Sequence, residues 1–545
     1  MINITYKIFV VLMISLTTLN LNAQNFDETL KAVASDRGQG HFFGHSVSID
    51  GDYAVIGAVK AGTPNNLFGE QGAVYVFEKD NNNNWQEVKR LVASDSSDMD
   101  EFGYSIDISG DYIIVGAYQE DENVNGTDSL DAAGAAYIFY KDEGGTDNWG
   151  EVKKLVASDR EIDDEFGTSV GISENYAIVG AQYEDHDANG MNELFSAGSA
   201  YIFEKDAGGA NNWGEIKKLT PSDRESNDEF GGSVLIEDDV IVVGAMKQNL
   251  DAFGGNFVIN AGAVYIFEKD AGGVNNWGEA HKIVASDRLA GVRFGSSIGM
   301  DGDYIVVGAR SADSAPNVYS GAAYVFKRDA SIGAATWSEV KKLIANDADD
   351  NDEFGYAVGV SGDNIIIGAV RESENENGDS TMNRAGSAYI FNKDEGGTNN
   401  WGETQKIVAS DRAMSAAFGG ALAIDGNFII VGARSESKDA VGGNSIGGAG
   451  AAYVFEYTFP SASSSISDFD NLKFYPNPAQ ELLFIESETI FQQATIYNVL
   501  GQPIQEVSIQ NNQTEININD LPKGIYMLQL VTENGQHIAK QFIKN

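Results

Sequence analysis

Residues 26–36 read Phe26-Asp27-Glu28-Thr29-Leu30-Lys31-Ala32-Val33-Ala34-Ser35-Asp36, and residues 149–159 read Trp149-Gly150-Glu151-Val152-Lys153-Lys154-Leu155-Val156-Ala157-Ser158-Asp159. The two align without a gap, with Phe26 in the register of Trp149. The second stretch is one of a set starting at Trp85, Trp149, Trp213, Trp277, Trp337 and Trp401, which are all six tryptophans of the chain. Three further elements recur seven times. Phe-Gly begins at Phe43, Phe102, Phe166, Phe230, Phe294, Phe354 and Phe418, at intervals of 59 to 64 residues. Gly-Ala follows 14 residues after each Phe, at Gly57, Gly116, Gly180, Gly244, Gly308, Gly368 and Gly432. Gly-(Ala/Ser)-(Ala/Val)-Tyr-(Val/Ile)-Phe starts at Gly72, Gly134, Gly198, Gly262, Gly321, Gly386 and Gly450. A fixed period of this length marks an array of one supersecondary unit.

Each element has the pattern of one strand. After Phe-Gly the chain alternates, with Val47 and Ile49 against Ser46 and Ser48, as on a strand with unlike faces. Tyr112-Ile113-Ile114-Val115-Gly116-Ala117 is continuously apolar, as on a strand covered on both sides. The third element carries small residues and then Tyr-Ile-Phe. The fourth carries lysines such as Lys153 and Lys154, read here as charges that blunt an exposed edge. Four antiparallel strands from a glycine-rich inside to a lysine-bearing outside describe a propeller blade. The fourth element occurs six times and the others seven, so one strand is missing, and residues 26–36 supply it. The expectation is all-β: a seven-bladed β-propeller over residues 24–457, closed by its N-terminal strand.

Composition bounds the partners. Of 545 residues 81 are acidic and 36 basic, a formal net charge of −45, which opposes the phosphate backbone of a nucleic acid. There is no cysteine, so disulfide staples, thiol chemistry and a lipoprotein anchor are all excluded. Residues 1–23 read as a secretory signal peptide: Lys7 opens it, Ile8 to Leu19 form its apolar stretch, and Leu21-Asn22-Ala23 offers a cleavage point. That stretch is too short to span a bilayer, and no later segment is apolar enough to do so.

The repeated Phe-Gly, Gly-Ala and Gly-Ala-Xaa-Tyr-Xaa-Phe elements resemble the FG-GAP family, whose best-known members are the propellers of integrin α-chains, and the likeness covers roughly residues 25–457. In integrins the calcium loops lie between Phe-Gly and Gly-Ala-Pro. Here that stretch holds a tight turn such as Ser109-Gly110-Asp111, so those calcium sites are not carried over.

A serine-rich linker, 458–471, precedes a block over 472–545 with short alternating runs, an Asn534-Gly535 hairpin signal and a basic end at Lys540-Gln541-Phe542-Ile543-Lys544. This is the pattern of a small β-sandwich. Tyr475-Pro476-Asn477-Pro478-Ala479, Tyr497-Asn498-Val499-Leu500-Gly501-Gln502 and Leu521-Pro522-Lys523-Gly524-Ile525-Tyr526 resemble the type A sorting domain of the type IX (Por) secretion system of the Bacteroidota. The resemblance implies engagement of that machinery, passage across the outer membrane, and a protein released outside the cell or held on its surface.

Strand direction puts the 4→1 and 2→3 loops on one face of the disc. The 4→1 loops carry Asp100-Glu101, Asp164-Glu165, Asp228-Glu229 and Asp352-Glu353. The 2→3 loops include Asp121-Glu122-Asn123-Val124-Asn125-Gly126, Asp185-His186-Asp187-Ala188-Asn189-Gly190 and Ser373-Glu374-Asn375-Glu376-Asn377-Gly378. Alternate oxygens before a glycine are the first half of a calcium loop, which makes Asp121, Asn123, Asn125, Asp185, Asp187 and Asn189 the candidate ligands and calcium the candidate cofactor. Position twelve holds Ala132, Ser196 or Arg384 where a full loop has a bidentate carboxylate, and an Asn-Gly turn is the competing reading. The five histidines share no motif spacing, and no nucleophile elbow, phosphate loop or zinc motif occurs. The function expected is a non-catalytic binding or adhesion module for a glycan or extracellular protein. The alternatives are a calcium-dependent structural surface protein and a polysaccharide-acting enzyme.

Overall fold

The computed structural model describes residues 25–62, 70–313, 317–329, 336–378 and 380–458, and in the C-terminal part 473–476, 479–486, 491–497, 503–509, 513–519, 521–532 and 537–544. The signal peptide over 1–23, nearly all of the linker over 458–471 and the Asn534-Gly535 turn lie outside these residues. The described elements are all β. Two compact units divide the chain, one over Phe26–Tyr457 and one taking in Thr458–Asn545.

The first unit holds seven four-stranded antiparallel sheets among the described residues, numbered here 1 to 7 in the order of their Phe-Gly pairs. Sheet 3 is representative: Phe166–Ile172, Tyr176–Ala181, Ser199–Glu204 and Gly214–Leu219, hydrogen-bonded in that order. Its second strand is buried along most of its length, as the apolar run requires; its first strand is buried throughout, whereas the first strand of sheet 1, Phe43–Asp50, alternates toward its end. Sheet 7 is assembled differently. Phe418–Asp425, Phe428–Ala433 and Ala451–Thr458 are followed by Asn25–Ala32, which lies beside Ala451–Thr458 as the outer strand.

The conserved letters of the repeat are the joints between sheets. A Cβ on Gly180 would sit 2.0 Å from the Gly231 carbonyl oxygen of sheet 4, so only glycine fits there, and Gly432 meets Gly44 of sheet 1 in the same way at 2.1 Å. A parallel bridge joins Gly198 to Phe230, and its counterpart joins Gly450 of sheet 7 to Phe43 of sheet 1. Ser169 Oγ donates to the Gly231 carbonyl at 2.7 Å. Five of the six outer-strand tryptophans abut an aromatic ring of the preceding sheet, as Trp213 meets Tyr112 at 5.4 Å and Trp85 meets Phe428 of sheet 7 at 5.8 Å; Trp337 shares a cluster with Val240 instead. Between sheets 2 and 3, Ile114 and Ile138 pack with Val179, Tyr201 and Trp213. Such side chains each contribute roughly 1.5–3 kcal/mol by burial.

The lysines differ from their expected role. Lys154 is buried and pairs with Asp95 at 2.7 Å, and Lys218 pairs with Asp159 at 2.8 Å. Each carboxylate belongs to the Ala-Ser-Asp end of the preceding outer strand, and each also accepts from a buried tyrosine, Tyr137 or Tyr201. Lys31 of the N-terminal strand makes the same pair with Asp411, at 2.7 Å. Tyrosine and lysine together clamp one sheet to the next, where the sequence suggested a charge set out in water.

In the second unit, Lys473–Tyr475, Leu482–Glu486 and Gln513–Asn517 form one sheet. Pro503–Ser508, Phe491–Tyr497, Gly524–Thr532 and His537–Lys544 form the other. Leu483, Ile485 and Ile516 from the first share a core with Ala494, Ile496, Leu528, Leu530 and Phe542 from the second.

Candidate functional site

The 2→3 and 4→1 loops do meet on one face. Arg160 donates to the Asp121 carbonyl at 2.7 Å, and Arg224, Arg288, Arg412 and Arg37 repeat the bond to Asp185, Asn249, Ser373 and Ser437. These five arginines hold loop to loop.

Most of the acidic pairs on this face are structural. Asp100, Asp164 and Asp352 are buried behind the loop surface, against Glu120, Glu184 and Glu372. Burial, then the neighbouring glutamate, pushes each aspartate up to about 8. Sheet 4 explains the arrangement. Its Gln248 occupies the glutamate position and donates Nε2 to Asp228 at 2.9 Å. A protonated carboxyl facing a carboxylate supplies the same donor, and Asp100 and Asp352 hydrogen-bond Glu120 and Glu372 in this way, while Asp164 feels the charge of Glu184. Among the described residues one group of three acids has oxygens close enough to hold a cation: Asp95, Glu120 and Glu122. Lys154 Nζ already stands 2.7 Å from Asp95 and 3.2 Å from Glu120.

The candidate calcium ligands are gathered into two loops, where a side-chain oxygen of each of Asp121, Asn123, Asp185 and Asp187 accepts from the loop's own backbone. Asp121 Oδ1 accepts from Ala132 N at 2.9 Å, and Asn123 Oδ1 accepts from Asn125 N and Thr127 N at 3.0 and 3.1 Å. Asp185 Oδ1 accepts from Ser196 N, while Asp187 Oδ1 accepts from Asn189 N and Met191 N. Asn125 and Asn189 contribute the backbone donors of these turns. Asp251 and Asp439 build the same turn in loops without the Asn-Gly spacing. The turn therefore needs no metal to account for its acidic residue.

A different set of residues forms a cavity on this face, of about 400 Å³, between sheets 5, 6 and 7. Its lining includes Arg293, Arg310, Arg371, Arg384 and Arg434, with Glu353, Tyr356, Ser311 and Ser415. The residue before each Phe-Gly has a left-handed backbone, φ between 53° and 59°, which fixes the direction of its side chain at the mouth of this loop face. That position holds Glu101, Glu165, Glu229 and Glu353 but Arg293 in sheet 5. The residue after Gly-Ala faces it and is Tyr118, Gln182 and Met246 in sheets 2 to 4 but Arg310 and Arg434 in sheets 5 and 7. The glutamates are matched: Glu165 accepts from Gln182 at 2.9 Å, Glu229 pairs with Lys247, and Glu353 with Arg371 at 2.8 Å. Arg293, Arg310, Arg384 and Arg434 make no ion pair with any described residue, and Arg310 lies 5.1 Å over the Tyr356 ring. Across the mouth, burial and then Tyr356, Glu165 and Glu101 push the Tyr104 hydroxyl up to about 12. Burial, with Arg434 adding to it, pushes His45 down to about 3. The expected acidic face thus has an acidic, aromatic half and an arginine-lined half. The signal for the second was present in the repeat alignment, as a change of charge at one register position.

Among the described residues no helix is long and apolar enough to cross a membrane. Residues 473–545 match the secretion system C-terminal sorting domain, which sends the chain through type IX secretion to the cell surface or the extracellular space and makes that machinery its partner. No curated protein matches the chain. The FG-GAP repeat matches seven times, over residues 26–77, 85–139, 149–203, 213–267, 277–326, 337–391 and 401–455. Those segments cover more than half of the sequence, and the chain belongs to the FG-GAP repeat family.

Proposed function

We propose that the first unit is a closed seven-bladed propeller, with Asn25–Ala32 completing the seventh blade, and that it is a non-catalytic binding module carried outside the cell by a C-terminal β-sandwich. Support for the ring comes from joints of one kind at every step, including Gly450 to Phe43 and Lys31 to Asp411. The observation that carries the binding role is the cavity between sheets 5, 6 and 7. It is the feature of the loop face that does not repeat, whereas the buried acid pairs recur at equivalent places and serve the frame. Ligand sites are set by side chains grafted on a fold, and departures from a repeat mark them.

Glycan and extracellular-protein arrays, probed with the secreted chain and scored in parallel for polymer cleavage, test this reading. Saturable binding without new chain ends is the expected result. Release of reducing ends from a polysaccharide would overturn the non-catalytic assignment.

A further inference from the structure

Five of the twelve arginines line one cavity in a chain of net charge −45. Five others staple the loops, and the remaining two, Arg90 and Arg328, pair with Asp36 and Glu268. The cavity set alone is left in excess of its acids, with Glu353 the single carboxylate in the lining. Guanidinium groups gathered without counter-charges repel one another, and an oxyanion between them relieves that repulsion through paired N–H donors. Val370 and Ala417 are the apolar part of the lining, so an occupant gains little there from burying hydrocarbon. Ser311, Ser415 and the Tyr356 hydroxyl offer partners suited to a polyol.

We propose that this cavity binds the carboxylate or sulfate group of an acidic oligosaccharide. The assignment rests on the binding-module reading above and names its ligand class. The surrounding charge limits how acidic that ligand is. Remote carboxylates are screened beyond about 8 Å at physiological ionic strength, so the local arginines decide the fate of one or two anionic groups. A densely charged polymer running across the acidic half of the mouth meets Glu101, Glu165 and Glu229. An acidic peptide carries the same carboxylate, but its backbone and apolar side chains find neither a free strand edge nor an apolar cleft among the lining residues.

The test is titration calorimetry on the secreted full-length chain at physiological salt. The probes are an oligogalacturonate, a sulfated galacto-oligosaccharide, a neutral galacto-oligosaccharide and a glutamate-rich peptide. At least one acidic sugar is expected to bind ten-fold or more tightly than the neutral one, and the carboxylated and sulfated arms distinguish the two anions. Arg310→Gln and Arg434→Gln are each expected to weaken it about ten-fold with an unchanged melting temperature. Arg310→Lys, which keeps the charge and loses the planar fork, is expected to fall between. Arg328→Gln, paired with Glu268 away from the cavity, leaves affinity unchanged. Equal binding of the neutral sugar, preference for the peptide, or no binding by any probe would each overturn the assignment. A ligand from the arrays that binds the wild type and both arginine variants alike would sink this proposal and leave the binding-module reading standing.

Discussion

Sheets 3 and 5 share a frame and differ in what fills it. In sheet 3, Tyr201 and Lys218 hold Asp159; in sheet 5, Tyr324 and Lys342 hold Asp287, with the lysine contacts at 2.8 and 2.6 Å. Behind that clamp, sheet 3 buries Asp164 against Glu184, while sheet 5 has Val292 and Ala312 at the same two places. At the mouth, sheet 3 sets Glu165 on Gln182 and sheet 5 sets Arg293 beside Arg310. The chain has thus exchanged a buried acid pair for an apolar pair without losing the sheet. That agrees with the near-neutral cost of replacing a complete buried polar pair by hydrocarbon. The glycines of the joints recur in all seven sheets, whereas the residues at the mouth differ from sheet to sheet.

Substituting the joints should give the largest effect, and the same one in both sheets. Gly180→Val and Gly308→Val would place a Cβ 2.0 and 2.2 Å from the facing carbonyl oxygens of Gly231 and Gly355. Each is expected to cost about 3 kcal/mol or more in denaturant unfolding; a clear difference between the two would show that the frames are not equivalent. The clamp should separate them. The Lys218 side chain is 6% exposed and also contacts Glu184 at 3.1 Å, whereas that of Lys342 is 29% exposed and pairs among the described acids with Asp287 alone. Lys218→Met is expected to cost about 3 kcal/mol, by stranding buried charge, and Lys342→Met about 1 kcal/mol or less.

The acid pairs predict a direction with pH. Asp164 has a folded value raised above its unfolded one, so the fold favours its protonated form. The stability this provides is complete below about pH 4 and is lost as pH rises toward 8, on the order of 1 kcal/mol per pair. Thermal unfolding between pH 5 and 8.5 should show that decline. The double substitution Asp164→Val with Glu184→Ala, which copies sheet 5, should make it shallower; an unchanged slope would remove sheet 3 as a contributor. The smallest effect expected is that of a calcium chelator. The oxygens of Asp121 and Asp187 already accept backbone N–H groups, so the melting temperature should move by about 1 °C or less. A drop of several degrees would restore calcium to these loops.

The strands, their order within a sheet and the shared role of residues 26–36 were legible because period and alternation are local properties of a sequence. Lys154 was misread, and the burial of Asp164 went unread, for a physical reason. Charge in a sequence suggests water, and their partners, Asp95 and Glu184, come from another sheet or another loop. Asp121 and Asp187 show the converse case: ligand spacing and turn spacing coincide, and backbone N–H donors reach these oxygens in a way the spacing alone does not show. Arg293 and Arg310 lie in separate loops, and their meeting depends on register across the sheet. Comparing the seven repeats position by position would have exposed the change of charge.

The outer strand of sheet 7 has a consequence for the order of events in folding. Thr29 Oγ1 donates to the Val454 carbonyl across 425 residues of chain, whereas Tyr176 and Glu204 within sheet 3 are 28 residues apart. Bringing the distant ends together costs about 2 kcal/mol more in loop entropy, so this contact is the last to zip. Until it does, Ala451–Thr458 presents a bare edge to any other strand that passes, including the same strand of another copy. In the ring proposed above the eight residues Asn25–Ala32 act as the latch, and a chain trimmed into them is expected to keep its other sheets and leave that edge bare.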